Sequence, residues 1–162
     1  MILPRVVVLA FAATYVVSGF SRTVAVVSVG PIRLKPDPTH LATPQAARTT
    51  KDAVFTAEQA RRGEVLYQFI CATCHGPALS GIEAAPPLAG TTFSASWSGA
   101  PVSDLFERIR ISMPQDKPGS LGRQQAADVV AYILSFNKAP AGPTELPGDA
   151  DVLKAITIAT AQ

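Results

Sequence analysis

Residues 71–75 read Cys-Ala-Thr-Cys-His, and they contain both cysteines of the 162-residue chain. In an α-helix, residues three and four positions apart lie on the same face, so Cys71, Cys74 and His75 fall on one stripe about 100° wide. Two thiols and one imidazole therefore project together. Because both cysteines are used here, none is left for a disulfide framework.

Cys-x-x-Cys-His is the attachment signature of a c-type haem, in which the thiols form thioethers with the two vinyl groups and the imidazole binds the iron. Two other interpretations remain open. A closed zinc site needs four ligands, and the only other histidine is His40, in a Pro-rich segment. A thioredoxin-like redox pair needs a strand and a parallel sheet, whereas the surrounding pattern is helical. The motif favours one covalently attached haem c.

A predicted helix leads into this motif. Thr56 and Gln59 form a capping-box pattern, in which each side chain satisfies a free backbone N–H at the helix start. Small and apolar residues then recur at intervals of three and four: Ala60, Gly63, Tyr67, Ile70 and Cys71. A glycine in mid-helix costs about 1 kcal/mol relative to alanine, so Gly63 indicates a close approach by another helix backbone.

Two more helices are predicted downstream. Residues 77–99 are rich in Gly, Pro, Ser and Ala and are expected to form a long loop. A short helix is predicted from Asp104 to Ile111, capped by Ser103. Its buried side has three apolar residues: Leu105, Phe106 and Ile109. A longer helix is predicted over residues 123–136, with Gly122 as its cap. Its apolar residues fall on one stripe: Ala126, Val129, Val130, Ile133 and Phe136.

Four segments are predicted along the chain. Residues 1–30 contain an uncharged apolar run and are typical of a signal peptide, or of a membrane anchor if they are not cleaved. Residues 31–54 are rich in Pro, Thr and Ala and should form a flexible tether. The haem domain is expected at 55–138, followed by a C-terminal tail at 139–162 with a short helix near 149–156.

The charge balance gives no reason to expect a nucleic-acid partner. The formal net charge is +2, from 14 basic and 12 acidic residues. Arg5 and Arg22 precede Pro31, which leaves twelve residues of each sign in the rest of the chain. Phosphate binding needs a concentrated basic surface, so nucleic acid is excluded as an expected partner.

Further elements resemble the class I cytochrome c family in order and spacing. They flank the Cys-x-x-Cys-His motif as follows: Gly63, Tyr67 and Cys71 at intervals of four before it, and Pro86-Pro87-Leu88, Met113-Pro114 and Ala131-Tyr132 after it. The resemblance covers residues 55–137. It implies an all-α fold in which helices and long loops wrap around one haem. It also implies that the first and last helices cross beside the haem, with Tyr67 and Tyr132 packed in the contact.

The resemblance also implies individual roles. Met113, a soft thioether donor in a loop constrained by Pro114, is expected to be the second axial ligand opposite His75. The alternatives are His40 or an open sixth position. The Pro86 carbonyl is expected to hold the other ring nitrogen of His75. Four further apolar residues are expected to contact the haem: Leu88, Phe93, Trp97 and Ile109. The Trp97 indole N–H could reach a propionate, and apolar cover without a polar contact is an equal alternative for Phe93 and Trp97.

Iron held by both His75 and Met113 has no face free for a substrate. The sequence therefore predicts a one-electron carrier in electron transport, and not an enzyme. The alternatives are a cytochrome subunit permanently docked on a dehydrogenase or oxidase, or a haem enzyme or sensor with an open sixth position.

The expected partners are a redox donor and a redox acceptor. Residues 139–158 resemble the tails of cytochromes found beside quinoprotein dehydrogenases that use pyrroloquinoline quinone. Such a dehydrogenase is therefore the candidate donor, and a terminal oxidase of the respiratory chain is the candidate acceptor. The expected location is the periplasm, or the periplasmic face of the inner membrane if residues 1–30 stay attached.

Overall fold

A computed structural model describes residues 47–83 and 85–159. The predicted signal peptide or anchor, most of the predicted tether and His40 lie outside the described residues. The described part forms six α-helices, one π-helical turn and two short strands: β1 (Arg48–Thr49), α1 (Ala57–Leu66), the π-helical turn (Tyr67–Cys71), α2 (Ala72–His75), α3 (Gly90–Trp97), α4 (Val102–Ser112), α5 (Arg123–Phe136), α6 (Ala150–Leu153) and β2 (Ile156–Thr157). Within these residues, no helix is both long and apolar enough to span a membrane.

Helix α1 begins after the predicted N-cap residue Thr56, but only half of the predicted capping box forms, because the Gln59 side chain bonds the Leu146 backbone and not the Thr56 N–H. The Thr56 hydroxyl accepts a hydrogen bond from the Gln59 backbone N–H at 3.0 Å. The predicted close approach at Gly63 is also present, because a Cβ atom on Gly63 would lie 1.8 Å from the carbonyl oxygen of Asp128 in α5. Only glycine allows α1 and α5 to cross at this distance. The crossing is the centre of the fold.

Helix α5 has its predicted bounds, with Gly122 as its N-cap residue. The Gly122 N–H donates to the Gln125 side chain at 2.9 Å. Residues 126–134 are all buried, so the helix packs on more than the single face that its sequence pattern indicates. Helices α1 and α4 both contact α5. Phe136, expected on the buried stripe, is 38% exposed at the helix end.

Residues 90–97 form α3, which corrects the prediction of a long loop over 77–99. Its Gly, Thr and Ser residues have low helix propensity. The helix instead depends on tertiary contacts. Phe93 is buried in the hydrophobic core, and the Asn137 side chain accepts from the Gly90 N–H.

Helix α4 begins two residues earlier than predicted, with Pro101 as its N-cap residue. Ser103 is therefore not the cap. It lies inside the first turn, buried, because Val102 and Ser103 both face the interior. The predicted buried side is confirmed at three positions: Leu105, Phe106 and Ile109.

The described residues on both sides of the predicted haem domain pack against it. Strand β1, expected to belong to the flexible tether, pairs in parallel with β2. Gly142 donates its N–H to the Phe55 carbonyl at 2.7 Å. Four apolar residues of the predicted tail are buried: Leu146, Leu153, Ile156 and Ile158. The packed unit is thus larger than 55–138.

One ion-pair network ties α1 to α5 and to the C-terminal segment. The Arg62 guanidinium donates two hydrogen bonds to the carboxylate of Asp128, at 3.1 Å each. It donates two more to Glu145, at 2.9 and 3.0 Å. The Asp128 carboxylate is buried and also accepts from Gln124, so its burial is compensated by three donors.

Candidate functional site

The motif at 71–75 lies where the first helix changes its winding. The π-helical turn ends at Cys71, and α2 then carries Cys74 and His75. Single π-helical turns inside helices are frequent at functional sites. The three side chains differ in exposure: Cys71 is half-buried, Cys74 is exposed and the His75 imidazole is buried. Burial, with a smaller effect from Cys74, raises the pKa of the Cys71 thiol to about 11.

The His75 ring is held by the contact expected from the sequence. Its Nδ1 atom lies 3.0 Å from the carbonyl oxygen of Pro86. A carbonyl can only accept, so Nδ1 carries the proton and Nε2 keeps its lone pair for a metal. The His75 carbonyl in turn accepts from the Gly81 N–H at 2.9 Å. Hydrogen bonds therefore fix both the imidazole ring and the backbone of His75.

Two glycines bring Pro86 back to His75. Gly76 and Gly81 have φ values of +75° and +74°, in the region that favours glycine. A Cβ atom on Gly81 would lie 2.6 Å from the Ala85 carbonyl oxygen, so the chain must pass itself closely there. The returning chain is fastened by a hydrogen bond from the Leu88 N–H to the Leu79 carbonyl at 2.8 Å. We call residues 76–88 the His75 loop.

The roles of two residues in this region were not predicted from the sequence. Leu79 is fully buried although its neighbours along the chain are exposed. The Tyr67 hydroxyl, expected only to pack, donates to the Gly76 carbonyl at 2.7 Å. Burial raises the pKa of Tyr67, with smaller effects from Cys71 and Tyr132, so it remains a neutral donor. A tyrosine at a core position, where phenylalanine would suffice for packing, was the available signal.

The four apolar residues that were predicted to contact the haem fall into two groups. Phe93 and Ile109 are buried in the hydrophobic core. Leu88 and Trp97 are half-buried and pack against that core. Met113 is half-buried at the C-terminal end of α4, where its N–H donates to the Ile109 carbonyl at 3.2 Å.

These residues fit haem c. Two thiols stand next to an imidazole whose free nitrogen is Nε2, and half-buried apolar side chains leave surface that a flat apolar ring could cover. A closed zinc site requires four ligands. Across the described ranges, no group of three or more His, Cys, Asp or Glu side chains could hold a metal ion.

Comparison with known proteins identifies the same region. Residues 58–133 match the family model of the cbb3-type cytochrome c oxidase subunit III. No curated protein matches the chain.

Among solved structures, the chain is similar to the sulfane dehydrogenase SoxCD from Paracoccus pantotrophus, with 18% sequence identity and a TM-score of 0.49. The similarity covers 65% of this chain and 60% of that chain, so less than two thirds of the SoxCD chain is matched. The family match includes α1, the Cys-x-x-Cys-His motif and most of α5. The chain therefore carries a cytochrome c domain, which confirms the predicted class I c-type cytochrome and its all-α fold. Such a domain implies haem as cofactor and supports a role in electron transport.

Proposed function

We propose that this chain is a mono-haem, one-electron carrier, with haem c attached through Cys71 and Cys74 and its iron held by His75 and Met113. The observation that carries the proposal is the hydrogen bond between His75 Nδ1 and the Pro86 carbonyl. It leaves Nε2 as the ligand atom and prevents the ring from rotating about a bond to iron. Haem supplies a reversible one-electron couple.

The two cysteines have suitable surroundings for attachment. Cys74 is exposed and Cys71 half-buried, so both thiols border the surface that a haem would cover. The chain has no third cysteine and one Cys-x-x-Cys-His motif, which supports a single haem.

Met113 is the candidate for the sixth ligand. It is the only methionine after Met1, and it lies directly beyond α4 with Pro114 following. Helix α4 packs on the hydrophobic core through the buried side chains of Leu105 and Ile109, which supports a defined position for the residue that follows it. A thioether ligand raises the reduction potential and closes the sixth position. A closed site favours an electron carrier over a haem enzyme or sensor.

The partners and location extend this proposal. We infer export to the periplasm from residues 1–30, with anchoring to the inner membrane if they are not cleaved. The donor is a periplasmic dehydrogenase, with a quinoprotein that uses pyrroloquinoline quinone as the candidate, and the acceptor is a terminal oxidase. The quinoprotein was inferred from the resemblance of residues 139–158 to the tails of other cytochromes. In this chain the same segment also has a structural role, because Gln59 binds the Leu146 backbone.

A second candidate is a cytochrome subunit docked permanently on an oxidase or dehydrogenase. The matching family model describes an oxidase subunit, which favours this alternative. Purification under mild detergent separates the two. A free carrier elutes as a single chain with its haem, whereas a docked subunit co-purifies in fixed ratio with a larger redox protein.

Optical spectroscopy of the purified protein tests the ligands. We expect a haem that stays with the chain after denaturation, a low-spin spectrum, a sulfur-to-iron charge-transfer band and no binding of carbon monoxide by the reduced protein. Met113→Ala should lose the band and bind carbon monoxide, while the control Ile111→Ala, at an exposed position of α4, should do neither. Carbon monoxide binding by the unaltered protein would contradict the closed site.

A further inference from the structure

Tyr67 links the helix crossing to the residue after His75. Its ring is fully buried and lies 5.2 Å from the ring of Tyr132 in α5. Its hydroxyl donates a buried hydrogen bond of 2.7 Å to the Gly76 carbonyl. Because Gly76 directly follows His75, a group fixed by the two helices restrains the backbone at the iron ligand.

The backbone around His75 is restrained from several directions. The Gly76 N–H donates to the Ala72 carbonyl at 2.9 Å and ends α2. The chain then reverses at Gly76 with φ +75°. The Gly76 carbonyl also accepts from the Leu79 N–H, at 3.2 Å. Of these bonds, only the one from Tyr67 comes from a side chain fixed in the helix crossing.

Packing alone does not require the hydroxyl. A phenylalanine would fill the same space against Tyr132, and the Gly76 carbonyl would keep the Leu79 N–H as a donor. The fold should therefore survive the loss of the hydroxyl, while the start of the His75 loop should move more freely. The hydroxyl then acts on the orientation of the imidazole and not on the existence of the fold.

We propose that Tyr67 is a positioning residue for His75, which through Gly76 holds the imidazole in register with Pro86 and so sets the properties of the iron it binds. This inference rests on the proposed ligation by His75. Weaker restraint should lengthen the bond from Nδ1 to the Pro86 carbonyl. That bond increases the basicity of the ligand, so its weakening should raise the reduction potential.

The test compares Tyr67→Phe with Tyr132→Phe in the full haem-loaded protein. Both remove one hydroxyl from the same aromatic contact. In the reduced protein, we expect exchange of the His75 Nδ1 proton with solvent, followed by NMR, to become roughly three- to tenfold faster in Tyr67→Phe. The reduction potential should rise in the same variant. Tyr132→Phe loses a hydroxyl that contacts Gln68 and makes no bond to Gly76, so it should change both clearly less than Tyr67→Phe does.

An unchanged exchange rate in Tyr67→Phe, or an equal increase in Tyr132→Phe, would overturn the positioning role. Failure of the proposed function is distinct, because the unaltered protein would then lack low-spin haem. If Tyr67→Phe does not accumulate with haem, the unaltered protein provides the test. The Tyr67 hydroxyl proton and the His75 Nδ1 proton should exchange at rates within about threefold of each other, as one opening unit does. Rates that differ by more than about tenfold would overturn the inference.

Discussion

The crossing of α1 and α5 and the His75 loop are held together by different means. In the crossing, backbone meets backbone at Gly63 and two buried tyrosine rings pack beside it. In the His75 loop, individual hydrogen bonds at Gly81, Leu88 and His75 fasten the chain, while much of its surface is exposed. The crossing should therefore be stable on its own, whereas the loop should depend on each bond and on haem.

The two regions should therefore respond differently to a change in structure. Close-packed helices resist rearrangement, because any change in side-chain volume is felt by the neighbours. A loop fixed by single hydrogen bonds can be adjusted around a ligand at small cost, since each bond contributes only about 1 kcal/mol net. Tyr67 joins the two regions through its bond to the Gly76 carbonyl, and Gln68 and Asn137 add hydrogen bonds to the Pro77 and Leu88 carbonyls of the loop.

The strongest test of the crossing is Gly63→Val. The new Cβ atom would overlap the Asp128 carbonyl, and backbone cannot move aside as a side-chain tip can. We expect a loss of about 4 kcal/mol or more in the free energy of unfolding, or no folded protein. Gly122→Ala is the control, because its Cβ meets only the Gln125 side chain at 3.4 Å. Its loss should stay below about 1 kcal/mol. Equal losses, measured by denaturant unfolding, would contradict the account.

A smaller effect is expected from the attachment of the C-terminal segment to α1. Gln59 is fully buried and makes two hydrogen bonds to the Leu146 backbone, at 2.8 and 2.9 Å. Gln59→Ala leaves both Leu146 groups unpaired and should cost about 2 to 3 kcal/mol. Hydrogen exchange at Leu146 should accelerate, while the haem spectrum stays the same. The exposed Gln115→Ala is the matched control. An altered haem spectrum in Gln59→Ala would contradict this, because it would show that the attachment of the C-terminal segment affects the haem site.

The His75 loop is tested by Gly81→Ala against Gly119→Ala. Both positions have positive φ, so both variants have the same left-handed backbone strain. Only Gly81 faces close neighbours, whereas nothing lies within 4 Å of a Cβ on Gly119. Gly81→Ala should therefore cost about 1 to 2 kcal/mol more, and it alone should shift the reduction potential. Identical unfolding energies and potentials for the two variants would contradict the role of the loop.

The helix crossing could be predicted from the sequence because its signals are local. Thr56 caps α1, Gly122 caps α5, and Gly63 indicates a close approach on its own. Helix α3 could not be predicted in the same way. Its first N–H is satisfied by Asn137, 47 residues away in the chain, and its own residues are poor helix formers.

The candidate site was predicted in part. The motif predicted Cys71, Cys74 and His75 as haem-binding residues. The resemblance to cytochromes predicted the contact between Pro86 and His75, which is present. The burial of Leu79 and the hydrogen bond from Tyr67 were missed. Both depend on the path of the His75 loop through two left-handed glycines, and that path follows from tertiary closure and not from residue spacing.

The NMR resonance of the Met113 methyl group shows whether Met113 binds the iron opposite His75. Methionine labelled with ¹³C at the methyl group marks only Met1 and Met113. In the reduced, haem-loaded protein, the methyl group of a methionine whose sulfur binds the iron would lie over the porphyrin ring, and the ring current would move its NMR resonance far upfield. We expect one such resonance, which is absent in Met113→Ala. A Met113 methyl resonance at its ordinary position, in protein that carries covalently bound haem, would contradict the His75 and Met113 ligation and the closed electron carrier.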